Sequence, residues 1–352
     1  MFTVFVPNFA RRCPVATKFR TKSADKVFDK DEGEGYSREV PVQITVLGSG
    51  SSGNCTYIET EQARLLIDAG LSGRQIRQRL LSIGRTVENL TGILITHEHS
   101  DHVQGLAALA AKVKVPVFCN RLTKEAIELQ LGMKLDFHLF STGATFVTGD
   151  VEIDTFSIPH DAYDPVGFLL RTPGGNIGFL TDLGHATKLV IQRVRSANVL
   201  VLEANHDMKM LQDDLRRPWS IKQRILSRHG HLSNDAAALA AQEIVSADLQ
   251  QLYLGHLSTD CNRPELAQFI VSEALDKIGA KHVAVRVASQ DVPCPVYSLQ
   301  FERPPEPLIY EIPPNGDSIF EQADLFSEQT IPALPPIPIV AQTIPLRRAS
   351  PQ

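Results

Sequence analysis

The sequence is poor in cysteine, has no excess of positive charge and contains no long apolar run. Its 352 residues include five cysteines, none in C-x-x-C spacing, so we expect free thiols, as in a reducing cytoplasm. Lysine and arginine number 35 against 40 acidic residues, a formal charge of -5. This excludes coating of nucleic acid by bulk positive charge, but not a local basic groove. No segment approaches the roughly 20 apolar residues of a membrane helix, so no membrane attachment is predicted.

Composition divides the chain into three parts. Residues 1–40 mix polar, basic and glycine residues and predict a disordered or misassigned N-terminal extension. Residues 301–352 hold 11 of the 22 prolines. Proline at this density interrupts helices and strand ladders, so 302–352 is predicted to be a disordered, extended tail. Residues 41–301 alternate strand-like with helix-like runs, which predicts one α/β catalytic domain.

The predicted elements of this domain follow from apolar periodicity and from capping residues. Asn262 is expected to cap a helix that begins at Pro264, and Gly279 to end it. Strands are predicted at residues 42–47, 65–67, 92–96, 115–118, 151–158, 166–170, 177–180, 199–202, 252–254 and 282–287, and helices at 76–83, 106–113, 235–245 and 264–278.

Four potential metal ligands lie within six residues, directly after one of these strands. The run reads His97-Glu98-His99-Ser100-Asp101-His102. In an extended segment, residues two apart point the same way, so His97 and His99 can hold one ion together. Asp101 and His102 then turn towards a second ion. The spacing therefore predicts a metal site at this strand end.

The pattern His-x-His-x-Asp-His after a strand resembles the metallo-β-lactamase superfamily, whose fold is a four-layer αββα sandwich with two metals at one edge. The resemblance extends to four further strand ends, which carry Asp68, His160, Asp182 and His256. It implies the following ligands: His97, His99 and His160 for one ion, Asp101, His102 and His256 for the other, and Asp182 as a bridge. Asp68 would orient the hydroxide nucleophile or a ligand.

The ligand types narrow the chemistry that this resemblance implies. True lactamases carry cysteine where Asp182 stands, and the di-iron relatives carry an acid where His99 stands, so both of those activities are disfavoured. A bridging carboxylate with five histidines suits two Zn²⁺ or Mn²⁺ ions and does not distinguish them. Two such ions stabilise in-line displacement at phosphorus. Phosphodiester hydrolysis is therefore favoured.

A second resemblance, over residues 42–287, is to the YycJ/WalJ group of this superfamily, which is related to ribonuclease Z and ribonuclease J. It rests on the segments 48–54, 161–168, 202–207 and 230–234. It implies a bacterial 5′-to-3′ exonuclease that acts on double-stranded DNA in mismatch repair. The interval between Asp182 and His256 is too short for a β-CASP domain. A small-molecule hydrolase of a cyclic phosphodiester or thioester, and an RNA-processing nuclease, stay open as alternatives.

Two residues are candidates for proton transfer to the leaving group. In-line displacement expels an alkoxide, which a positioned acid must protonate. His231 precedes a predicted helix, and Glu203 ends a strand and could orient it, as a Glu–His pair does in ribonuclease Z relatives. Together with Asp68 and Asp182 they form the predicted catalytic set. A histidine that only caps or packs is the alternative for His231.

A basic segment lies just upstream of His231. Residues 216–228 hold five basic residues, one tryptophan and no acid. Such residues position nucleic acid through its phosphates, although a solvated helix face would look the same. The glycine-rich loop 48–53 and the helix start after His231 could also meet phosphate. The candidate substrate contacts are Ser51, Asn54, Arg217, Lys222, Arg224, Ser233 and Asn234.

The proline-rich tail contains one short motif. Residues 322–326 (Gln322-Ala323-Asp324-Leu325-Phe326) resemble the pentapeptide by which bacterial replication and repair proteins bind the sliding clamp. An extended tail can place leucine and phenylalanine anchors in a preformed apolar pocket. The alternative is that Leu325 and Phe326 dock on their own domain.

Overall fold

The computed structural model describes residues 41–110 and 112–299, and two sheets dominate this part of the chain. The strands are β1 Val42–Gly48, β2 Cys55–Glu59, β3 Arg64–Ile67, β4 Gly92–Leu94, β5 Val117–Cys119, β6 Phe137–Leu139, β7 Thr145–Thr148, β8 Val151–Ser157, β9 Val166–Thr172, β10 Gly175–Leu180, β11 Val199–Glu203, β12 Gln251–Gly255, β13 Ala284–Val287 and β14 Tyr297–Leu299. The helices are α1 Gly73–Ser82, α2 Ser100–Val103, α3 Leu106–Ala110, α4 Arg121–Leu131, α5 Lys188–Val194, α6 Met208–Asp213, α7 Trp219–Ile225, α8 Asn234–Ile244 and α9 Pro264–Lys277.

Each sheet combines an antiparallel part with a parallel part. The first sheet has the order β14-β1-β2-β3-β4-β5-β6, and β3 to β6 run parallel. The second has the order β13-β12-β11-β10-β9-β8-β7, and β10 to β13 run parallel. Because parallel strands end at the same edge of a sheet, the residues that follow β3 and β4, and those that follow β10, β11 and β12, collect at common edges.

Three apolar clusters fix the layers. One joins inward-facing residues of both sheets, such as Ile44 and Phe168. A second packs the outer face of the second sheet against α5, α8 and α9. A third packs the outer face of the first sheet against α1, α3 and α4. Helices thus cover the outer face of each sheet, and the predicted four-layer αββα sandwich is confirmed.

The sequence missed four strands, β2, β6, β7 and β14. Three of these have only three or four residues, and β6 and β7 are half exposed, so their apolar signal is weak. The predicted cap of α9 is wrong. Arg263 occupies the capping position, whereas the Asn262 amide donates to the Ala204 carbonyl and to Asn234. Of the helix predicted over 106–113, the structure describes Leu106–Ala110, and residue 112 already lies in a turn.

The N-terminal extension 1–40 and the tail 302–352, with its motif at 322–326, lie outside the described residues. The boundaries 41–301 of the catalytic domain therefore stay a prediction. Over the described ranges, no helix is both long and apolar enough to cross a bilayer. The cysteines of this part, Cys55, Cys119, Cys261 and Cys294, are buried free thiols.

The contact between the two sheets sets the stability of this fold. Phe168 is fully buried between the sheets, with its ring 6.1 Å from that of Phe140. We expect Phe168→Ala to lower the free energy of unfolding by about 3–5 kcal/mol, because it leaves a cavity. Phe269→Ala is the matched control, because Phe269 is 60% exposed on α9; its expected effect is below about 0.5 kcal/mol. Guanidinium denaturation measures both, and equal losses would contradict this assignment of the core.

Candidate metal centre and active site

Six strands present an acidic residue or a histidine at the same side of the sandwich. The residues that end these strands or follow them within three positions are Asp68 after β3, His97 after β4, His160 after β8, Asp182 after β10, Glu203 in β11 and His256 after β12. Strand β8 runs in the same direction as β10, because each is antiparallel to β9. Strand direction therefore brings the residues of each sheet to one edge, and the packing of the two sheets brings those edges together.

Three of these residues have a left-handed backbone. Asp68, Asp182 and His256 have φ values of 59°, 55° and 57°, and they are the only residues other than glycine with positive φ in the described ranges. This conformation costs a residue with a side chain on the order of 1–3 kcal/mol and persists only where surrounding contacts impose it. Asp68 and His256 directly follow buried strands, and Asp182 comes two residues after one. The turn redirects each side chain into the common site.

His97, His99 and His160 form the first group of potential ligands, with one ring nitrogen each within 4.8 Å of the others. The Nδ1 of His97 lies 3.0 Å from Thr96 Oγ1, and the Nδ1 of His160 donates to the Gly230 carbonyl at 3.2 Å. These contacts leave Nε2 of both rings facing the shared space.

Asp101, His102 and His256 form the second group, again within 4.8 Å. The Nδ1 of His102 donates to Asp68 Oδ2 at 2.7 Å, and the backbone N–H of Thr96 donates to Asp68 Oδ1 at 2.8 Å. Both oxygens of Asp68 thus accept hydrogen bonds from the protein. Of the two roles predicted for Asp68, this geometry favours orientation of a ligand over orientation of the nucleophile.

Asp182 lies between the two groups. Its Oδ2 is 3.0 Å from His102 Nε2 in the second group, and its Oδ1 is 3.7 Å from His160 Nε2 in the first. His97 Nε2 is buried without a hydrogen-bond partner. Asp182 Oδ2 is buried too and receives no hydrogen bond from His102 Nε2, because His102 donates to Asp68 through its other nitrogen. A buried acceptor without a partner is costly, and divalent cations would satisfy both atoms. The imidazole and carboxylate donors suit Zn²⁺ or Mn²⁺.

The electrostatics of the cluster keep Asp182 charged and His97 neutral. Burial raises the pKa of Asp182, but the adjacent His256 and His102 outweigh burial and hold this pKa well below its usual range. Burial lowers the pKa of His97 well below its ordinary value, and the neighbouring His102 adds to the effect. An ionised carboxylate and a neutral imidazole are the forms that bind a metal.

Glu203 orients two histidines at once. It is fully buried, and its Oε1 accepts from His231 Nδ1 at 2.8 Å and from His256 Nδ1 at 2.7 Å. Its Oε2 accepts from the backbone N–H groups of Leu183 and Leu232. Burial raises the pKa of Glu203, but the interaction with His231 outweighs it and lowers the pKa to about 2. The sequence predicted the contact with His231 and missed the contact with His256.

Of the two histidines that donate to Glu203, His231 is the more accessible. Its side chain is 19% exposed, against 3% for His256. Its ring lies 5.2 Å from that of His160 and 5.1 Å from that of His256. With Nδ1 held by Glu203, Nε2 of His231 is directed away from this carboxylate and is available to a substrate.

Three of the predicted substrate contacts, Asn54, Lys222 and Asn234, are buried and therefore cannot meet a substrate at the surface. Asn54 accepts from Ser49 Oγ at 2.9 Å and from the Gly50 N–H at 3.0 Å, which shapes the glycine-rich loop. The Lys222 ammonium donates to a backbone carbonyl at 2.7 Å, and Asn234 exchanges hydrogen bonds with Asn262. All three side chains are buried and satisfied by the protein. They hold the fold and are excluded from the surface that a polymer can contact.

The other candidate contacts have mixed positions. Ser51 is exposed in the glycine-rich loop, and Ser233 caps α8 by accepting from the Ala236 N–H. Arg217 pairs with Asp214 and Asp260, and Arg224 pairs with Asp161. Thus Arg217 is largely occupied by the protein, whereas the Arg224 side chain is 58% exposed beside the site.

A cleft beside the first group of potential ligands was not predicted from the sequence. It has a volume of about 470 Å³, and His99 belongs to both the cleft and the potential ligands. The Glu98 Oε1 accepts from the Tyr163 N–H at 2.8 Å, and its Oε2 is buried without a partner. The lining is completed by Ser100, Ala126, Leu129, Gln130 and Asp161. The only sequence signal was the position of Glu98 between two histidines.

Metal binding should stabilise the folded protein, because it satisfies Asp182 and His97. We expect two equivalents of Zn²⁺ or Mn²⁺ per chain by inductively coupled plasma mass spectrometry. Free metal at about 100 Kd adds about 2.7 kcal/mol, which raises Tm by about 5–10 °C. Asp182→Asn should lose most of the bound metal and of this rise, whereas Asp276→Asn, an exposed carboxylate on α9, should keep both. Equal metal content in the two variants would contradict the site.

Comparison with known proteins identifies the family of this chain. Residues 63–256 match the family described as the beta-lactamase superfamily domain. The chain is 39% identical to the exodeoxyribonuclease YycJ of Bacillus anthracis over 240 residues. This alignment covers 68% of this chain and 90% of that protein. It is 40% identical to the exodeoxyribonuclease WalJ of Streptococcus pneumoniae serotype 2 over 242 residues. That alignment covers 67% of this chain and 89% of WalJ.

A solved structure extends the likeness to the fold as a whole. The metallo-beta-lactamase fold protein YhfI of Bacillus subtilis superposes with a TM-score of 0.56 at 17% identity and covers 72% of this chain and 98% of its own. At that identity the likeness concerns the fold alone. Together with the family match and the 39–40% identity over most of two curated relatives, it supports one conclusion: the chain belongs to the metallo-β-lactamase superfamily of hydrolases, in the group of YycJ and WalJ.

Proposed function

We propose that this protein is a dinuclear metal-dependent phosphodiesterase that degrades duplex DNA in the 5′-to-3′ direction. The observation that carries the proposal is the pair of ligand groups on either side of Asp182, with the accessible His231 held beside them by Glu203. The names of YycJ and WalJ, both exodeoxyribonucleases, support DNA as the substrate.

The proposed ligand sets follow the two groups. His97, His99 and His160 would hold one ion, Asp101, His102 and His256 the other, and Asp182 would contact both. Divalent ions bound there would activate water and neutralise charge that develops on the phosphate oxygens. Asp68 fixes the tautomer of His102, because its acceptance from Nδ1 leaves Nε2 unprotonated and available as a ligand. Glu203 fixes His256 in the same way.

His231 is the proposed general acid. A carboxylate that accepts from Nδ1 keeps a proton on that nitrogen and stabilises the imidazolium, so that Nε2 also carries a proton, which the leaving oxygen takes as it becomes basic. Glu203 supplies this carboxylate, and its two backbone hydrogen bonds prevent it from rotating away. The proton therefore moves from Nε2 of His231 to the departing alkoxide, while Glu203 stabilises the imidazole in both protonation states.

We further propose that this enzyme acts in the bacterial cytoplasm, in DNA repair. The buried free thiols of the described part are compatible with a reducing bacterial cytoplasm. A role in DNA repair fits an exonuclease whose tail carries residues 322–326, the motif that resembles a sliding-clamp peptide. Clamp binding would tether the enzyme to DNA by raising its local concentration there.

A gel assay tests the proposed substrate and direction. Protein reconstituted with Mn²⁺ or Zn²⁺ is incubated with duplex DNA labelled at either end, with single-stranded DNA and with RNA. We expect stepwise loss from the 5′ end of duplex DNA, which EDTA and Asp182→Ala abolish. Inert polymers together with cleavage of bis-p-nitrophenyl phosphate would instead support a small-molecule hydrolase. Preferred cleavage of RNA would support an RNA-processing nuclease.

Substitution of His231 tests the proton-transfer step. His231→Gln should lower kcat on DNA by about 10²–10⁴-fold, the usual contribution of a general acid, with bound metal unchanged. The loss should be much smaller on thymidine 5′-p-nitrophenyl phosphate, because p-nitrophenolate leaves without protonation. His229→Gln is the matched control, because His229 is exposed two residues away. Equal losses of His231→Gln on both substrates would argue against a general acid.

A further inference from the structure

An arm of the chain stands between the end of β11 and His231. This arm, residues 207–230, contains the short helices α6 and α7 and returns to the site through Gly230. It includes the basic segment 216–228 and Trp219, which is the only tryptophan of the 352-residue chain.

The basic residues of the arm mainly hold it together. The Lys222 ammonium donates to the Gln212 carbonyl at 2.7 Å and so joins α7 to the end of α6. Arg217 pairs with Asp214 and, at 2.9 Å, with Asp260 outside the arm. These contacts fix the arm in one arrangement, so whatever it presents to solvent is held in place before a ligand binds.

The arm is also fixed to the proposed metal site. Arg224 in α7 pairs with Asp161, and Asp161 Oδ1 lies 3.4 Å from His160 Nε2. At the end of the arm, the His231 N–H donates to the Ile225 carbonyl at 2.9 Å. Trp219 begins α7, five residues before Arg224, or about 8 Å along the helix axis. Trp219 and Arg224 are thus separated by about two nucleotide spacings of 3.4 Å each.

The arm exposes two large apolar side chains as well as charged ones. Leu215 is 98% exposed and Trp219 is 62% exposed. The side chains of Arg216 and Arg224 stay 69% and 58% exposed, although Arg216 pairs with Asp214 and Asp260 and Arg224 with Asp161. An exposed indole with exposed guanidinium groups before and after it in sequence complements a polyanion that carries flat bases.

We propose that Trp219 is a stacking platform for a base of the DNA substrate, a few nucleotides from the cleaved phosphate. This inference rests on the proposed nuclease function and adds a binding residue to it. Phosphate contacts from the exposed arginines would position the strand, and stacking on the indole would hold a base without selecting its sequence. Stacking of this kind contributes about 1–3 kcal/mol per base.

Because the protein has one tryptophan, its intrinsic fluorescence reports on this residue alone. The full-length, metal-reconstituted protein is titrated with a duplex whose terminal linkages are phosphorothioates, so that cleavage does not compete. We expect saturable quenching by this duplex and little quenching by heparin, which is a polyanion without bases. The matched control is the double variant Trp219→Phe/Phe269→Trp, which moves the indole to an exposed position on α9 and should not be quenched.

Kinetics supply a second readout. Trp219→Ala should raise KM for the oligonucleotide about 10-fold, as expected for loss of about 1.4 kcal/mol of stacking. Trp219→Phe should recover most of the affinity, because phenylalanine keeps an aromatic face. Phe269→Ala should leave KM unchanged.

Several outcomes would overturn the proposal. One is DNA binding by anisotropy without quenching, and another is equal quenching by heparin. A third is a Trp219-dependent dimer in light scattering, which would identify the surface as an interface with a second copy. Quenching by DNA in a protein that cleaves none of the polymers would instead contradict the nuclease function while supporting the binding site.

Discussion

One buried carboxylate holds the proposed catalytic arrangement together. Glu203 accepts four hydrogen bonds, two from the imidazoles of His231 and His256 and two from backbone N–H groups. One of those backbone groups belongs to Leu183, directly after Asp182, and the other to Leu232, directly after His231. The ends of three parallel strands and the loop of the proposed acid are thereby fixed relative to one another. A buried charge of this kind is tolerated because all of its acceptor positions are satisfied.

Asp68 has in the first sheet the role that Glu203 has in the second. Its carboxylate binds His102 and the backbone of Thr96, and so it joins the end of β3 to the histidine run after β4. Asp68, like Asp182 and His256, has a left-handed backbone that is unfavourable in isolation. The buried strands that precede these residues impose this geometry. Local strain at the sheet edge is thus stabilised by packing in the layers beneath it.

The charges of the arm show how composition can mislead about surface. Residues 216–228 read as a basic segment, yet Lys222 is buried, and Arg217 and Arg224 are paired with carboxylates. Their partners Asp260 and Asp161 lie 43 and 63 residues away in sequence. The arginines therefore act first as braces between segments. Among the side chains that stay exposed is the aromatic ring of Trp219, which a count of charges does not single out.

The sequence by itself determined the fold class and the chemical identity of the site. The ligand types, their spacing after a strand and the order of the strand-end residues are local properties, and strand direction brings those of each sheet to one edge. Only the tertiary structure decided which polar side chains are accessible and which are shared. Asn54 and Asn234 are buried, and Glu203 binds His256 across 53 residues of sequence. Burial and pairing depend on contacts between distant segments, and those contacts exist only once the layers have packed.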